Sequence, residues 1–302
     1  MQISNTFELS RARVSNERRR EPTVARLRAL LRKVDAKILQ ADPSFRYNYV
    51  VLRQLLRDVL DHLLEKRKLS TRSTYILPGA LWIVKSLLNR KMTVEQAAET
   101  IATTRYLARR MFRELVDSKN LELLIPTNLS PKDIKIFTWV DKVGCDEEGN
   151  PLYTLTLYFS FPFDISELDR RSEYEPVSFL FVKKGNKYIP IKAYVRVHYD
   201  LYVYDIENLD TVRILFMRYG HTPKILGAKE IARVSDSNIF KEALDKLWLY
   251  IGDAITRVAG VRRLRLKDES KKVHVYVNYK LPKTANNPFL TAVHPFFCPV
   301  EI

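Results

Sequence analysis

Residues 93–115 read TVEQAAETIATTRYLARRMFREL. The apolar spacing predicts two short helices joined by a tight turn at Ala102, Thr103 and Thr104. The second of them places Arg105, Arg109, Arg110 and Arg113 on one side and Leu107, Ala108, Met111 and Leu115 on another. A helix patterned this way can rest on a protein core while facing a phosphate backbone, which points to nucleic acid as the class of partner.

Outward from this stretch toward the N-terminus, the chain reads as helical. Val24, Leu27, Leu30, Leu31, Val34 and Ile38 recur at helical spacing after Pro22, which suits the first position of a helix. Asp42, Pro43 and Ser44 close that helix. A second is predicted over residues 47–66, its broad apolar face built from Leu52, Leu55, Leu56, Val59, Leu60, Leu63 and Leu64. The polar basic loop KRKLSTRS follows, and then an apolar helix over residues 74–89. Residues 1–21 carry Arg11, Arg13, Arg18, Arg19 and Arg20 with little apolar content. They predict a loosely ordered basic arm, which either gains order on a nucleic acid or stays a solvated tail.

With Ala98 taken as the small residue at the contact between two helices, Ala97, Ile101, Ala108 and Met111 fall on apolar positions. In that register residues 74–126 resemble the winged helix-turn-helix DNA-binding superfamily. The short apolar run 121–126 then stands where a wing strand belongs. The resemblance implies a second helix in the major groove of double-stranded DNA. It puts Thr104, Arg105, Tyr106, Arg109, Arg110 and Arg113 on or beside the DNA-facing side. Arg105 and Arg109 are the candidates for base edges, because bidentate Arg to guanine is the commonest specific contact. Arg110, Arg113, Lys119 and the arm residues Arg18, Arg19 and Arg20 are expected on phosphates.

On the C-terminal side, residues 127–133 with their prolines and turn residues read as a linker. Beyond them the period changes from helical to two. Strands are predicted over 134–140, 152–161, 177–182, 188–197, 198–206 and 211–219, with hairpin signals at residues 145–150 and at Lys183-Lys184-Gly185-Asn186-Lys187. One long amphipathic helix covers 239–258 and stops at Gly260. A last pair of strands covers 261–266 and 273–279, the first carrying Arg262, Arg263 and Arg265. The expected fold is α+β. A basic arm (1–21), an all-α helix-turn-helix domain of winged-helix type (22–126) and a linker (127–133) precede a mainly antiparallel β-sheet domain with one long helix (134–302).

Charge supports the partner class. The chain of 302 residues has 51 Lys and Arg against 35 Asp and Glu, a formal net charge of +16. The excess is concentrated in residues 1–130, which hold 25 basic and 13 acidic residues, net +12. A chain this basic favours an acidic partner. Two cysteines are too few for a disulfide framework, and no CxxC spacing marks a zinc site. The absence of an apolar leader or of a long apolar run predicts a cytoplasmic, nucleoid-associated protein that does not enter a membrane. Abundant charged residues with few glycines suit a thermophile.

No P-loop, GxGxxG, HExxH or GxSxG motif is present, so no cofactor is expected and an enzyme is the less favoured reading. The polar cluster His198, Asp200, Asp205 and Glu207 is the one place where carboxylates and an imidazole approach a metal-dependent nuclease pattern. Strand alternation with one face in water accounts for the same residues, and no metal site is assigned. The leading expectation is a DNA-binding regulator or a replication or segregation factor, its C-terminal domain dimerising or binding a partner. A DNA-processing enzyme such as a metal-dependent nuclease or mobile-element initiator is one alternative, and a structural nucleic-acid-packaging protein is another.

Overall fold

The computed structural model describes residues 4–64, 74–76, 78–161, 173–197, 200–218, 221–235, 239–269, 274–277 and 280–282. The chain forms an α+β protein, helices first and mostly antiparallel sheets after them, in two compact units, Met1–Thr103 and Thr104–Ile302.

In the first unit, helix α1 (Ser4–Gln40) turns back at Asp42 into α2 (Pro43–Leu63). Asp42 is the N-cap: its Oδ1 accepts the Ser44 N–H at 2.8 Å, and Pro43 gives up no hydrogen bond at the first helical position. The short strand β1 (Thr74–Ile76) precedes α3 (Pro78–Leu88). That helix ends with Arg90 at φ 58°, and Lys91 N–H closes back on the Ser86 carbonyl at 2.9 Å. This is the left-handed closure that glycine usually makes. Thr93 and Gln96 then form a reciprocal box, Gln96 N–H to Thr93 Oγ1 at 3.2 Å and Thr93 N–H to Gln96 Oε1 at 2.8 Å, which opens α4 (Val94–Lys119). The core of this unit buries Leu27, Val34, Leu52, Leu55, Leu56, Ala80, Ile83, Ala97, Ala98 and Ile101.

Three expectations are corrected here. No turn interrupts α4 at Ala102, Thr103 and Thr104; the helix is continuous over 26 residues. Neither Gly nor Pro stands there, and threonine in a helix costs only a few tenths of a kcal/mol. Ile101 before the expected turn and Ala108 and Met111 after it are all buried, so burial on both sides outweighs that cost. Of the arm expected over residues 1–21, the described part, residues 4–21, belongs to α1, which passes through Pro22 instead of starting there. The apolar run after α4 is no wing. It forms β2 (Glu122–Pro126), a strand buried at every residue and hydrogen-bonded on both edges inside a sheet of the second unit.

The second unit opens with the rest of α4, which stops at Asn120, itself at φ 37°. Its strands are β3 (Lys135–Cys145), β4 (Pro151–Phe161), β5 (Glu173–Lys184), β6 (Lys187–Val197), β7 (Asp200–Asp205), β8 (Arg213–Phe216), β9 (Pro223–Leu226) and β10 (Lys229–Ser235). Helix α5 (Ile239–Ala259), strand β11 (Val261–Arg265), the single turn α6 (Leu266–Glu269) and strands β12 (His274–Val277) and β13 (Lys280–Pro282) follow. One sheet runs β10-β7-β6-β5-β4-β3-β12, antiparallel except where β12 joins β3. The other runs β11-β2-β8-β9, with β2 and β8 parallel.

The two sheets and the second half of α4 share one core. Phe216 of β8 meets Phe159 and Phe161 of β4 with ring centroids 4.8 and 5.0 Å apart, and Ala108, Met111 and Leu115 join the same cluster. Burying side chains of this size contributes about 1.5–3 kcal/mol each. The larger sheet is also apolar on its opposite face, through Leu152, Leu180, Val182, Tyr194, Leu201 and Val203. This explains the apolar run in β5, where Phe179 and Phe181 join one cluster and Leu180 and Val182 the other. Within the stretch predicted as a linker, Leu129 is buried in the shared core, while Thr127, Asn128 and Lys132 are exposed. Gly260, at φ 78°, ends α5 where the sequence predicts a stop.

Candidate nucleic-acid interface

The cationic side chains of α4 divide between two environments. Toward the core side, Arg110 is built into the unit. Its Nε lies 3.0 Å from Glu114 Oε1, its Nη2 donates to the Asn186 carbonyl, and its guanidinium sits 5.1 Å from the centre of the Tyr188 ring. Glu114 completes the junction by accepting the Tyr188 N–H on Oε2 at 2.6 Å. The Glu114 carboxylate thereby raises the pKa of Arg110, and burial raises that of the Tyr188 phenol. Lys119 is buried at 6% exposure and donates from Nζ to the Glu207 carbonyl at 2.5 Å. Burial lowers its pKa.

Arg110 and Lys119 were both expected on phosphates, and the fold engages both elsewhere. The reason is position: Arg110 is four residues from Glu114 and faces the β5–β6 hairpin, and Lys119 lies in the last turn of α4, next to the loop that carries Glu207.

On the outward side Tyr106 is 61% exposed, and Arg109 and Arg113 are exposed as well. Thr104 and Arg105 are half-buried. Arg18, Arg19 and Arg20 lie on α1, and their side chains fall outside the described residues.

A second group of cations stands beside α4. Strands β5 and β6 are joined by the two-residue loop Gly185-Asn186, with Gly185 at φ 56°, as the first central position of such a hairpin requires. The tip carries Lys183, Lys184 and Lys187; Lys184 and Lys187 are exposed. Lys183 Nζ is 6.0 Å from the centre of the Tyr188 ring that Arg110 also covers, so the hairpin tip and the α4 face share one aromatic support. Tyr153 holds that ring edge-on at 5.5 Å. Of the acids on these elements, Glu114 is occupied as above, Glu148 lies 3.7 Å from Lys184, and the exposed Asp117 stands four residues after Arg113 on α4. The Lys-Lys-Gly-Asn-Lys sequence announces the turn. Its charges gain meaning only when Arg110 and Glu114 bring the tip to α4.

The carboxylates considered for a metal separate. Asp200 is fully buried and paired with Arg233, whose guanidinium lies 5.3 Å from the centre of the Tyr202 ring. Asp205 is at the other end of β7 and accepts the Glu207 N–H at 3.0 Å. Five residues of strand put the two roughly 16 Å apart and on opposite faces of the sheet. They cannot share a cation. Among the described residues no group of three or more His, Cys, Asp or Glu is placed to hold a metal ion. His198 lies outside the described residues. No described helix is long and apolar enough to cross a membrane.

No protein-family model matches the chain, and no curated protein or solved structure matches it.

Proposed function

We propose that the protein binds double-stranded DNA through its phosphate backbone, using the outward face of α4 together with the tip of the β5–β6 hairpin. The observation that carries this reading is the junction of Arg110, Glu114 and Tyr188, which joins α4, with its exposed Arg109 and Arg113, to the hairpin whose tip carries Lys183, Lys184 and Lys187. Because that junction ties the hairpin to the helix, the backbones that carry these cations need little rearrangement on binding, and more of their attraction to phosphate appears as affinity. The unbroken α4 favours backbone contact over the base readout expected of a helix-turn-helix, because no second helix presents its N-terminal end to a groove.

Binding should therefore vary little with sequence and steeply with salt. Up to five phosphate contacts correspond to a slope of log K against log salt of about −4 to −5. Fluorescence anisotropy with short duplexes of unrelated sequence measures both quantities. A salt-insensitive complex, or affinity unchanged in Arg109→Ala/Arg113→Ala, would overturn the assignment.

The same reading includes a homodimer through the C-terminal unit. Leu247, Ile251, Ala254 and Val258 are exposed along α5 at spacings of four, three and four residues. That is a heptad seam which reads alike in both directions and suits antiparallel pairing with a second copy. Sedimentation of wild type against Ile251→Lys tests it: a dimer that the substitution dissociates is expected, and a monomeric wild type would exclude it.

A further inference from the structure

The four-stranded sheet carries a second arginine cluster, which differs from the α4 face in having a carboxylate at its centre. Glu122 on β2 is 2% exposed, and three guanidinium groups from both flanking strands converge on it. Arg213 on β8 and Arg265 on β11 stand directly opposite Glu122 in the two ladders. Arg213 Nε lies 3.1 Å from Oε2, Arg265 Nε 3.2 Å from Oε1, and Arg263 Nε 3.6 Å from Oε2. The three arginine side chains are 44%, 53% and 56% exposed in the order Arg213, Arg265, Arg263.

Neutralising one buried carboxylate takes one arginine. Three leave an excess charge of two at one spot, with mutual repulsion that the fold accepts. Each guanidinium turns its Nε edge inward to Glu122. Each of the three side chains is about half exposed, so the cluster opens to solvent at its rim. Glu122 thus acts as a spacer that holds three forks around one point. Planar forks of this kind recognise tetrahedral oxyanions through paired N–H···O contacts.

We infer that Arg213, Arg263 and Arg265, held by Glu122, form a binding site for a phosphate dianion, either inorganic phosphate or a phosphomonoester. The excess of two positive charges matches a dianion better than the single charge of an internal phosphodiester. The site is independent of the α4 surface, and its ligand could be a free small molecule or the terminal phosphate of a nucleic acid.

The test is thermal shift and calorimetric titration with sodium phosphate against sodium chloride at matched ionic strength. A nucleoside 5′-monophosphate follows, and then duplexes with and without 5′-terminal phosphates. Wild type should show saturable stabilisation by phosphate. Arg263→Gln/Arg265→Gln should weaken it by about tenfold or more, since charge-assisted bidentate contacts are lost. Affinity for a monoester should fall below about pH 6, where the second phosphate proton is regained.

Preference for a 5′-phosphorylated over a 5′-hydroxyl duplex identifies a nucleic-acid end. Equal binding of both duplexes with a response to the small monoester identifies a free ligand. Should the double variant fail to fold, Arg263→Gln alone serves, because its contact is the longest and its side chain the most exposed. An equal response of wild type and the folded variant, or no effect of phosphate beyond that of chloride, overturns the site. Arg109→Ala/Arg113→Ala should keep phosphate binding intact, so this inference and the DNA-backbone reading fail separately.

Discussion

Arg109 and Arg110 are neighbours in sequence, yet one points to solvent while the other is held by a carboxylate, a carbonyl and an aromatic ring. The contrast extends across the second unit. Arg110 and Lys119 have partners within the unit, Arg213, Arg263 and Arg265 share the single carboxylate of Glu122, and Arg109, Arg113 and Lys187 are left exposed. A basic composition therefore overstates the charge that is free to meet a partner. What counts is which cations the fold leaves over.

The largest effect should come from removing the centre of an internal cluster. Glu122→Ala leaves three convergent guanidinium groups without their counter-charge. It should destabilise the protein by about 2–4 kcal/mol, below the figure for a fully buried pair because the arginines reach solvent. Urea unfolding measures this, and a loss under about 0.5 kcal/mol would mean that the cluster is an unstrained surface network. Arg110→Ala should come next, with a smaller loss of stability in the same urea unfolding, from the loss of a charge-assisted hydrogen bond and of the stacking on Tyr188. It should also weaken DNA binding by loosening the hairpin tip from α4.

Lys119→Met should cost within about 1 kcal/mol at neutral pH, because the apolar stem stays buried while the bond to Glu207 is lost. Its pH signature is more informative. A folded pKa below the unfolded 10.5 means that the unfolded chain binds the extra proton between the two values. Lys119 therefore makes stability rise with pH over the interval below 10.5, and the methionine variant should lack that rise. Thermal melts across that interval check the sign.

The smallest effect on stability belongs to the exposed pair. Arg109→Ala/Arg113→Ala should shift it by less than about 0.5 kcal/mol. The same change should flatten the salt slope of DNA binding by about two units. Stability loss without a change in binding would reverse the assignment of these two groups.

Much of this architecture was legible before the structure. The change from helical to two-residue period near residue 134, the hairpin at Gly185 and Asn186 and the end of α5 at Gly260 all stand where local pattern predicted. These are short-range features, fixed by the backbone freedom of glycine and by which face of an element is apolar. The predicted turn inside α4 failed for a reason of range. Ala102, Thr103 and Thr104 are compatible with either a turn or a helix, and what decides between them is burial of Ile101 before them and of Ala108 and Met111 after them. The apolar run at β2 resembles a wing in sequence because its partners, β8 and β11, lie far away along the chain.

The candidate site divides in the same way. The arginines of α4 and those of β11 are plain in the sequence, as is the basic hairpin. Their roles are not, because Glu114 is separated from Tyr188 by 74 residues and Glu122 from Arg265 by 143. By itself the sequence determined an α+β chain with helices first, a strong positive charge and several local stops. Only the tertiary structure decided which cations are satisfied within the fold and which remain for a partner, because hydrogen bonds and ion pairs form between groups that are close in space.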